Sequence, residues 1–244
     1  MSQLECTHPR GPMIRPPSEH TSQPAPSART SSPTNPRNQA PSSAPTNTRD
    51  AILDAAGVLL GRYGYHKTTM DDLATQAGIA RRTLYLHFRC KDDIFLARID
   101  RVVDRLLAEE RRIADGTGPA LERLERLLTF RVVYRLDVVK DYTKSLDEIF
   151  AALRGPYLER RASWFAAESA ILARVLEAGR SSRELECEDA NATALALISA
   201  TNSLIPYSLS TKEMGSRREI ERTLTTIVAL TLRGLRAEPT RKKR

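Results

Sequence analysis

Residues 68–91 constrain the fold of this chain most, because their pattern predicts two short helices joined by a tight turn. Thr69 can cap the first helix through its hydroxyl, and Asp72 then completes a capping-box signature. Gly78 supplies the turn, since glycine adopts a positive φ at low cost. These signals predict a helix that begins after Thr69 and a change of chain direction at Gly78.

The second of these helices, predicted over residues 81–88, has one apolar and one donor-rich face. Leu84 and Phe88 lie one turn apart and are predicted to face inward. The opposite face carries side chains that can donate hydrogen bonds: Arg81, Arg82, Thr83, Tyr85 and His87. A short helix with such a face fits the major groove of B-DNA, so the pattern predicts a helix-turn-helix.

Helical patterns flank this unit on both sides. Upstream, Thr48 is predicted to cap a helix that Gly64 ends. Downstream, a helix is predicted over residues 91–114. Together the segments TRDAILDAA and YGYHKTTMDDLATQAGIARRTLYLHFRCKDDIF resemble the TetR family of bacterial transcriptional regulators, closely over residues 48–100. The core GIARRTLYLHF, with a lysine three residues later, is far more specific than a generic helix-turn-helix pattern.

The resemblance implies an all-α fold of about nine helices, the family's usual count. An N-terminal three-helix DNA-binding head at residues 48–95 would precede a C-terminal helical domain at residues 96–236 for ligand binding and dimerisation. It implies a sequence-specific transcriptional regulator, by default a ligand-responsive repressor that binds a palindromic operator as a homodimer. Its partners would be double-stranded DNA and an unidentified small-molecule effector. Two alternatives stay open: a non-specific DNA-binding protein, and a helical ligand-binding protein with a vestigial head.

By the resemblance, eight side chains would contact DNA: Thr68, Thr69, Arg81, Arg82, Thr83, Tyr85, His87 and Lys91. Phosphate contacts position such a head, and base contacts select the sequence. Arg81, Arg82 and Thr83 are the candidates for base contact, since arginine can fork onto guanine. Arg82 stands where the family commonly has a small residue, so it is a candidate specificity determinant.

Several head residues have a structural alternative. The alternative for Thr69 is a purely structural role as a helix cap. Tyr85 can instead pack against the fourth helix, and His87 can be an ordinary surface residue. Cys90 lies between two cations, which would make its thiol more reactive. The favoured interpretation is a small residue at a helix N-cap, and redox activity is the less favoured one.

Composition limits the other possibilities. The formal net charge is +8, and six basic against two acidic residues between positions 62 and 91 place +4 of it in the head. The three cysteines show no metal-ligand spacing and are typical of a reducing cytoplasm. No apolar run approaches the roughly 18 residues that span a bilayer, and no secretory signal is evident. We expect a soluble, cytoplasmic, nucleoid-associated protein without a metal, cofactor or membrane partner.

The two ends differ from the rest of the chain. Residues 1–47 hold ten of the 14 prolines among Ser, Thr, Asn and Gln, so they are predicted to be a disordered tail. A flexible arm whose Arg29, Arg37 and Arg49 touch DNA is the functional alternative. Residues 237–244 are predicted to be a solvated basic tail.

The second domain is predicted to be helical throughout. Gly155 and Pro156 are expected to stop one helix before the next begins. The last two helices carry apolar stripes, Ala194, Leu195, Ile198 and Thr201 on one, and Ile220, Leu224, Ile227, Val228, Thr231 and Leu235 on the other. By the resemblance these would pair with a partner subunit; alternatively they face the protomer's own core.

The same domain would hold the effector cavity. Its candidate lining residues are Phe130, Tyr134, Tyr142, Phe150, Trp164, Phe165, Asn202 and Tyr207, each of which can also be an ordinary core or surface residue. None of the four histidines falls in this domain, so a nucleophile there would lack a histidine base. We therefore do not expect an enzyme.

Overall fold

The computed structural model describes residues 47–140, 145–205 and 215–237, which are almost wholly helical. Its helices are α1 Thr48–Lys67, α2 Met70–Ala77, α3 Arg81–His87, α4 Lys91–Ala114, α5 Ala120–Val139, α6 Leu146–Ser181, α7 Ala190–Asn202 and α8 Arg217–Leu235. The predicted all-α fold is confirmed. Residues 1–46 and 238–244 lie outside the described residues, as do Tyr142 and Tyr207. What the sequence predicts for them stays a prediction.

Most helix ends form where local signals predict them. Thr69 accepts a hydrogen bond from the Asp72 backbone N–H, and the Asp72 carboxylate accepts one from the Thr69 N–H, which completes the capping box of α2. Ser216 and Glu219 form the same motif at α8. Gly78 has φ 67° and ψ 33°, the left-handed conformation predicted for the turn.

The prediction of a helix stop at Gly155 and Pro156 is wrong. Helix α6 continues through both residues, which is why eight helices and not nine are found in the described ranges. Proline removes one backbone donor, and the carbonyl four residues earlier belongs to Ala152, which is exposed and can bond water. Leu153 and Tyr157 on either side are both buried, so the packing of one helix face outweighs the lost bond.

The apolar side chains form two clusters, and α6 contributes to both. The first joins α1, α2, α3 and the start of α4 with residues from α5 and α6: Val139, Leu146, Ile149 and Leu153. The second fills the space between the end of α4 and helices α5 to α8. Ser145 also donates to the Leu60 carbonyl at 3.3 Å. The core of the head is thus closed partly by helices beyond residue 95, and the division at residues 95 and 96 stays a prediction.

The stripes of α7 and α8 largely face the protomer's own core. Their buried members are Ala194, Ile198, Thr201, Ile220, Leu224 and Val228. Leu195 points outward and is 57% exposed. The remaining members, Ile227, Thr231 and Leu235, are half-buried. Most of this apolar surface is therefore already used within one chain.

Candidate nucleic-acid interface and second-domain cavity

The turn between α2 and α3 is fixed by its own hydrogen bonds. The backbone N–H of Ile79 donates to Ala74 O at 3.0 Å, and that of Gly78 donates to Thr75 O at 3.1 Å. Leu84 is fully buried and holds α3 against the head core. Helix α3 is thus presented on a packed support, with its other face toward solvent.

The outer face of α3 brings the predicted donors together. Arg81 Nη1 pairs with Asp71 Oδ2 at 2.9 Å, and its Nη2 donates to Tyr85 Oη at 3.4 Å. The hydrogen bond to Tyr85, and then the charge of Asp71, raise the pKa of Arg81. Thr83 is half-buried, while Arg82 and His87 are exposed.

Arg82 differs from Arg81 because its guanidinium has no hydrogen-bond or ion-pair partner within the described ranges. An exposed guanidinium at the start of α3 loses no protein contact when it turns toward a base or a phosphate. Arg81 would first have to leave an exposed ion pair, which costs little.

The two threonines before α2 are used inside the protein. Thr68 is fully buried, and its hydroxyl donates to Gly64 O at 2.7 Å, so its side chain is not available to DNA in this arrangement. The Thr69 hydroxyl donates to Asp72 Oδ2 at 2.6 Å, and this bond lowers the pKa of Asp72. With Asp71 and Asp72 both in the first turn, this helix end already carries two negative charges, which oppose a phosphate.

Lys91 is also engaged within the head. Its Nζ donates to the carbonyls of Tyr65, His66 and Thr68 at 3.1, 3.4 and 3.3 Å, and it lies 4.4 Å from the centroid of the Tyr65 ring. The ammonium therefore satisfies carbonyls at the end of α1 and ties α4 to them. Cys90 is the half-buried N-cap of α4, the structural alternative foreseen for it.

Two further residues lie near α3 and outside the set of eight; of these, Arg49 was predicted only as part of the alternative flexible arm. The Arg49 guanidinium lies 5.3 Å from the centroid of the Phe88 ring, which places a cation of α1 beside the end of α3. Leu86 is 78% exposed on the outer face. Helical spacing already indicated Leu86, because it lies two residues from the inward-facing Leu84.

The second domain contains a buried network of charges. Glu168 accepts from Arg131 Nε at 3.1 Å and from Arg135 Nη2 at 2.5 Å, and all three side chains are at most 5% exposed. Arg131 also donates to the Thr201 hydroxyl and, at 3.0 Å, to Asn202 Oδ1. Burial lowers the pKa of Arg131, and the charge of Glu168 opposes that shift.

Glu110 lies in the same region but is not paired in the same way. It is fully buried, and neither of its carboxyl oxygens has a hydrogen-bond partner among the described residues. Burial, and then the charge of Glu168, raise the pKa of Glu110 to about 8. At neutral pH its carboxyl is therefore mostly protonated, which spares the interior a second negative charge.

This shift predicts a pH dependence of stability. The pKa of Glu110 rises on folding from its ordinary 4.5 to about 8. The stability that the protonated carboxyl contributes is therefore full below pH 4.5 and is lost as the pH rises through 8. Between pH 4.5 and 8 we expect the free energy of unfolding of the wild type to fall by on the order of 3 kcal/mol more than that of Glu110→Gln, whose amide cannot ionise. Urea unfolding at four pH values from 5 to 8 measures this difference; parallel curves would contradict it.

A cavity lies beside the charge network. Its volume is about 10 Å³, about the room that one water molecule needs. Its lining residues are Ile99, Val103, Arg135, Tyr157, Trp164, Phe165 and Ile205. The walls are thus apolar and aromatic, with one guanidinium.

The predicted lining residues are only partly brought together there. Trp164 and Phe165 line the cavity. Phe130 and Tyr134 instead pack against each other at a tilt of 35°, with ring centroids 5.3 Å apart. Asn202 accepts from Arg131, and Phe150 lines a separate cleft between the head and α6.

Sequence reasoning missed the buried charges and Tyr157. A signal for the charges was present in the spacing of α5. Arg131 and Arg135 follow Leu124 and Leu128 at intervals of seven, so both fall in register with the buried apolar stripe. A charged residue at such a position predicts a buried, paired guanidinium.

Within the described residues, no helix combines the length and apolarity needed to cross a bilayer. In the same ranges, no three His, Cys, Asp or Glu side chains cluster as metal ligands would.

The fold and the head together define an all-helical protein with a helix-turn-helix domain. The family model described as "Bacterial regulatory proteins, tetR family" matches residues 52–97. The transcriptional activator FasR of Mycolicibacterium smegmatis is 36% identical over 76 residues, which are 31% of this chain and 35% of FasR. The transcriptional repressor ComR of Escherichia coli is 41% identical over 61 residues, 25% of this chain and 29% of ComR. The chain thus spans about a third of the length of these relatives.

Solved structures extend the similarity to the whole fold. A transcriptional regulator from Cytophaga hutchinsonii superposes with a TM-score of 0.65 at 18% identity, covering 77% of this chain and 98% of that one. A TetR/AcrR regulator from Thermobifida fusca gives 0.57 at 24% identity, covering 76% and 97%. At these identities the superpositions show a shared fold alone. Residues 52–97 thus match the TetR family of bacterial regulatory proteins, and the relatives matched over this segment are named as transcriptional regulators.

Proposed function

We propose that this protein is a ligand-responsive transcriptional repressor that binds a palindromic operator as a homodimer. The observation that carries the proposal is the outer face of α3, where Arg81, Arg82, Tyr85 and His87 are exposed on a helix held by a capped and buried support. Such a helix can enter a major groove and reach base edges from its N-terminal end.

The contact set that we propose is narrower than the one expected from the resemblance. Arg81, Arg82 and Thr83 would read bases, and Tyr85 and His87 would contact phosphates. Thr68 and Lys91 support this set from inside the head, and Thr69 caps α2. Arg49 joins the set through its position beside the end of α3.

The dimer is supported by the surface of α7. Its 13 residues include no charged side chain, although one face is exposed to solvent. That face carries Ala192, Leu195, Ala196, Ser199 and Ala200. Helix α8, which packs against α7, exposes Thr223, Thr226 and Leu230 at helical spacing. A surface depleted in charge and rich in small and apolar residues suits the centre of an interface between two copies.

Repression is proposed because it needs the fewest partners. A dimer that covers its operator blocks transcription by occupancy, whereas activation needs a further surface for the transcription machinery. The relatives named as repressors, KstR2 of Mycobacterium tuberculosis and ComR, and the one named as an activator, FasR, match over comparable short segments. The second domain would hold the effector.

Footprinting of the purified chain on the DNA that flanks its own gene tests the proposal. We expect protection of one palindromic site, with half-sites about 34–36 Å apart, as two heads in successive major grooves require. Uniform protection that weakens steeply with salt would identify a non-specific binder instead. No protection at low salt would reject DNA binding altogether.

Arg82→Ala tests the assignment of base contact. We expect the discrimination between operator and a site with one altered base pair to fall by about 1–3 kcal/mol at one position per half-site. Arg89→Ala is the matched control, since Arg89 is 64% exposed just beyond α3 and pairs with Asp93 at 3.8 Å. Titration of both variants against a panel of single-base operator changes gives the result. A loss of affinity that is equal for all sequences would move Arg82 to the phosphate contacts.

A further inference from the structure

We propose that Leu86 reads the C5 methyl group of a thymine that lies within about two base pairs of a guanine read by Arg82. This inference rests on the proposed function, because it assigns a base to one more side chain of the same recognition helix. It follows from the exposure of Leu86, from its position on α3 and from the groups that a major groove presents.

Leu86 exposes more of its surface than folding explains. Its accessible fraction of 78% is the largest among the exposed large apolar side chains of the described residues. Apolar surface in contact with water does not stabilise the head, so the leucine adds nothing to folding through this surface. Single exposed leucines are common on protein surfaces, so the placement of this one on α3 is what distinguishes it.

Arg82 and Leu86 form the centre of the outer face of α3. Leu84 is fully buried and marks the side of the helix that faces the head core. Successive residues of an α-helix are rotated by about 100° around its axis. Arg82 and Leu86 lie two residues before and after Leu84, so each projects within about 20° of the direction opposite to the core. A helix that enters a groove with Leu84 behind it therefore carries these two side chains toward the floor of the groove.

The other residues of the outer face lie to either side of this centre. Arg81 and Tyr85 lie on one side, where Arg81 Nη2 donates to Tyr85 Oη at 3.4 Å and the guanidinium lies 5.6 Å from the ring centroid. Thr83 and His87 lie on the other side. Leu86 therefore stands between Tyr85 and His87, the two side chains proposed to contact phosphates. A side chain between two backbone contacts faces the edges of the bases.

The chemistry of the groove selects the base. Leucine neither donates nor accepts a hydrogen bond, so it cannot pair with the polar edges of guanine, adenine or cytosine. It would cover such an edge and leave it without water or a partner, which is unfavourable. Thymine instead presents its C5 methyl group in the major groove, and contact with that methyl buries apolar surface on both partners. Thymine is therefore the base that Leu86 favours.

The spacing of Arg82 and Leu86 sets the distance between their bases. Four residues of α-helix rise by about 6 Å, and the base pairs of B-DNA follow one another at about 3.4 Å. The two side chains therefore span at most about two base pairs. We expect each half-site to hold a guanine and a thymine at this spacing.

Replacement of thymine by uracil tests the contact, because uracil lacks only the C5 methyl group. The full chain first selects binding sites from DNA of random sequence, and the enriched half-site should contain the guanine and the thymine. Uracil at that thymine in one half-site should weaken binding of the wild type by about 4-fold, the effect of one buried methyl group. In Leu86→Ala the same replacement should change the affinity by less than about 1.5-fold. Fluorescence anisotropy titrations at one fixed salt concentration measure both ratios.

Tyr85→Phe is the matched control at the neighbouring position. It removes a hydroxyl that is proposed to contact a phosphate, so it should weaken thymine and uracil sites equally and keep their ratio at about 4-fold. Leu86→Ala should unfold at the wild-type urea concentration or above it, since the side chain is exposed and alanine favours a helix. A wild type that binds both sites alike, or a folded Leu86→Ala that still prefers thymine by about 4-fold, would overturn the assignment.

The two proposals can fail separately. Enrichment of a palindromic site whose affinity does not depend on the thymine methyl would reject the role of Leu86 and leave the regulator standing. No enrichment of any sequence would reject the sequence-specific regulator, and the assignment of Leu86 with it.

Discussion

Glu168→Gln is expected to lower the free energy of unfolding by about 3–5 kcal/mol, because it removes the negative charge that Glu168 brings to two buried guanidiniums. Arg131 and Arg135 are both nearly inaccessible, and Glu168 accepts from each of them. The amide keeps the shape of the side chain but brings an NH₂ group against guanidinium donors. A loss of this size is a large share of the roughly 5–15 kcal/mol that stabilises a typical domain.

Glu110→Gln is the matched control for this effect. Glu110 is equally buried in the same region, but its raised pKa means that the substitution removes little charge at pH 7. We expect its free energy of unfolding at pH 7 to stay within about 1.5 kcal/mol of the wild type, the scale of one neutral hydrogen bond. Urea unfolding of the three proteins at pH 7 provides the comparison. Equal losses in the two variants would show that the ion pairs of Glu168 add nothing to the free energy of unfolding beyond what a buried Glu side chain contributes.

The sequence could predict those parts of the fold that contacts between near neighbours in the chain determine. Both ends of α2 depend on contacts within four residues, so Thr69 and Gly78 were sufficient to place them. Helix α4 was predicted with both of its observed ends for the same reason. Local rules of this kind need no knowledge of distant partners.

The wrong helix stop and the contacts that were not foreseen both arose where distant residues decide the outcome. Whether Pro156 ends a helix depends on whether Leu153 and Tyr157 can share one packing surface, and a sequence window does not contain that surface. The use of Lys91 depends on carbonyls of α1 that lie more than 20 residues away along the chain. The same limit applies to the cavity, because Arg135, Trp164 and Ile205 meet only after α5, α6 and α7 pack.

These observations divide the head into a support and a reading surface. Thr68, Thr69 and Lys91 contact the protein itself, so their substitution should act first on stability. Arg82 and His87 are exposed on α3, so their substitution should act first on DNA binding. Comparing the two groups by unfolding and by DNA titration would show whether residues matched by family pattern serve recognition or folding in this chain.

Leu195→Glu is expected to convert the proposed dimer to a monomer and to weaken operator binding by about 10²–10⁴-fold, since the second head is then no longer held at its half-site. Leu195 is 57% exposed at the middle of the uncharged face of α7. Two glutamates brought together across a two-fold interface would be desolvated and would repel each other. The head is untouched, so binding of a single half-site should be unchanged.

Leu158→Glu is the matched control for this substitution. Leu158 is also a large exposed apolar residue, 43% accessible, but it lies on α6 and outside the face of α7 and α8. Light scattering coupled to size exclusion should give a monomer mass for Leu195→Glu and the wild-type mass for Leu158→Glu. Titration of operator and half-site DNA should then show the loss for Leu195→Glu on the full operator only. A Leu195→Glu protein that keeps a dimer mass and full operator affinity would place the interface elsewhere, because a buried pair of like charges at its centre could not leave both quantities unchanged.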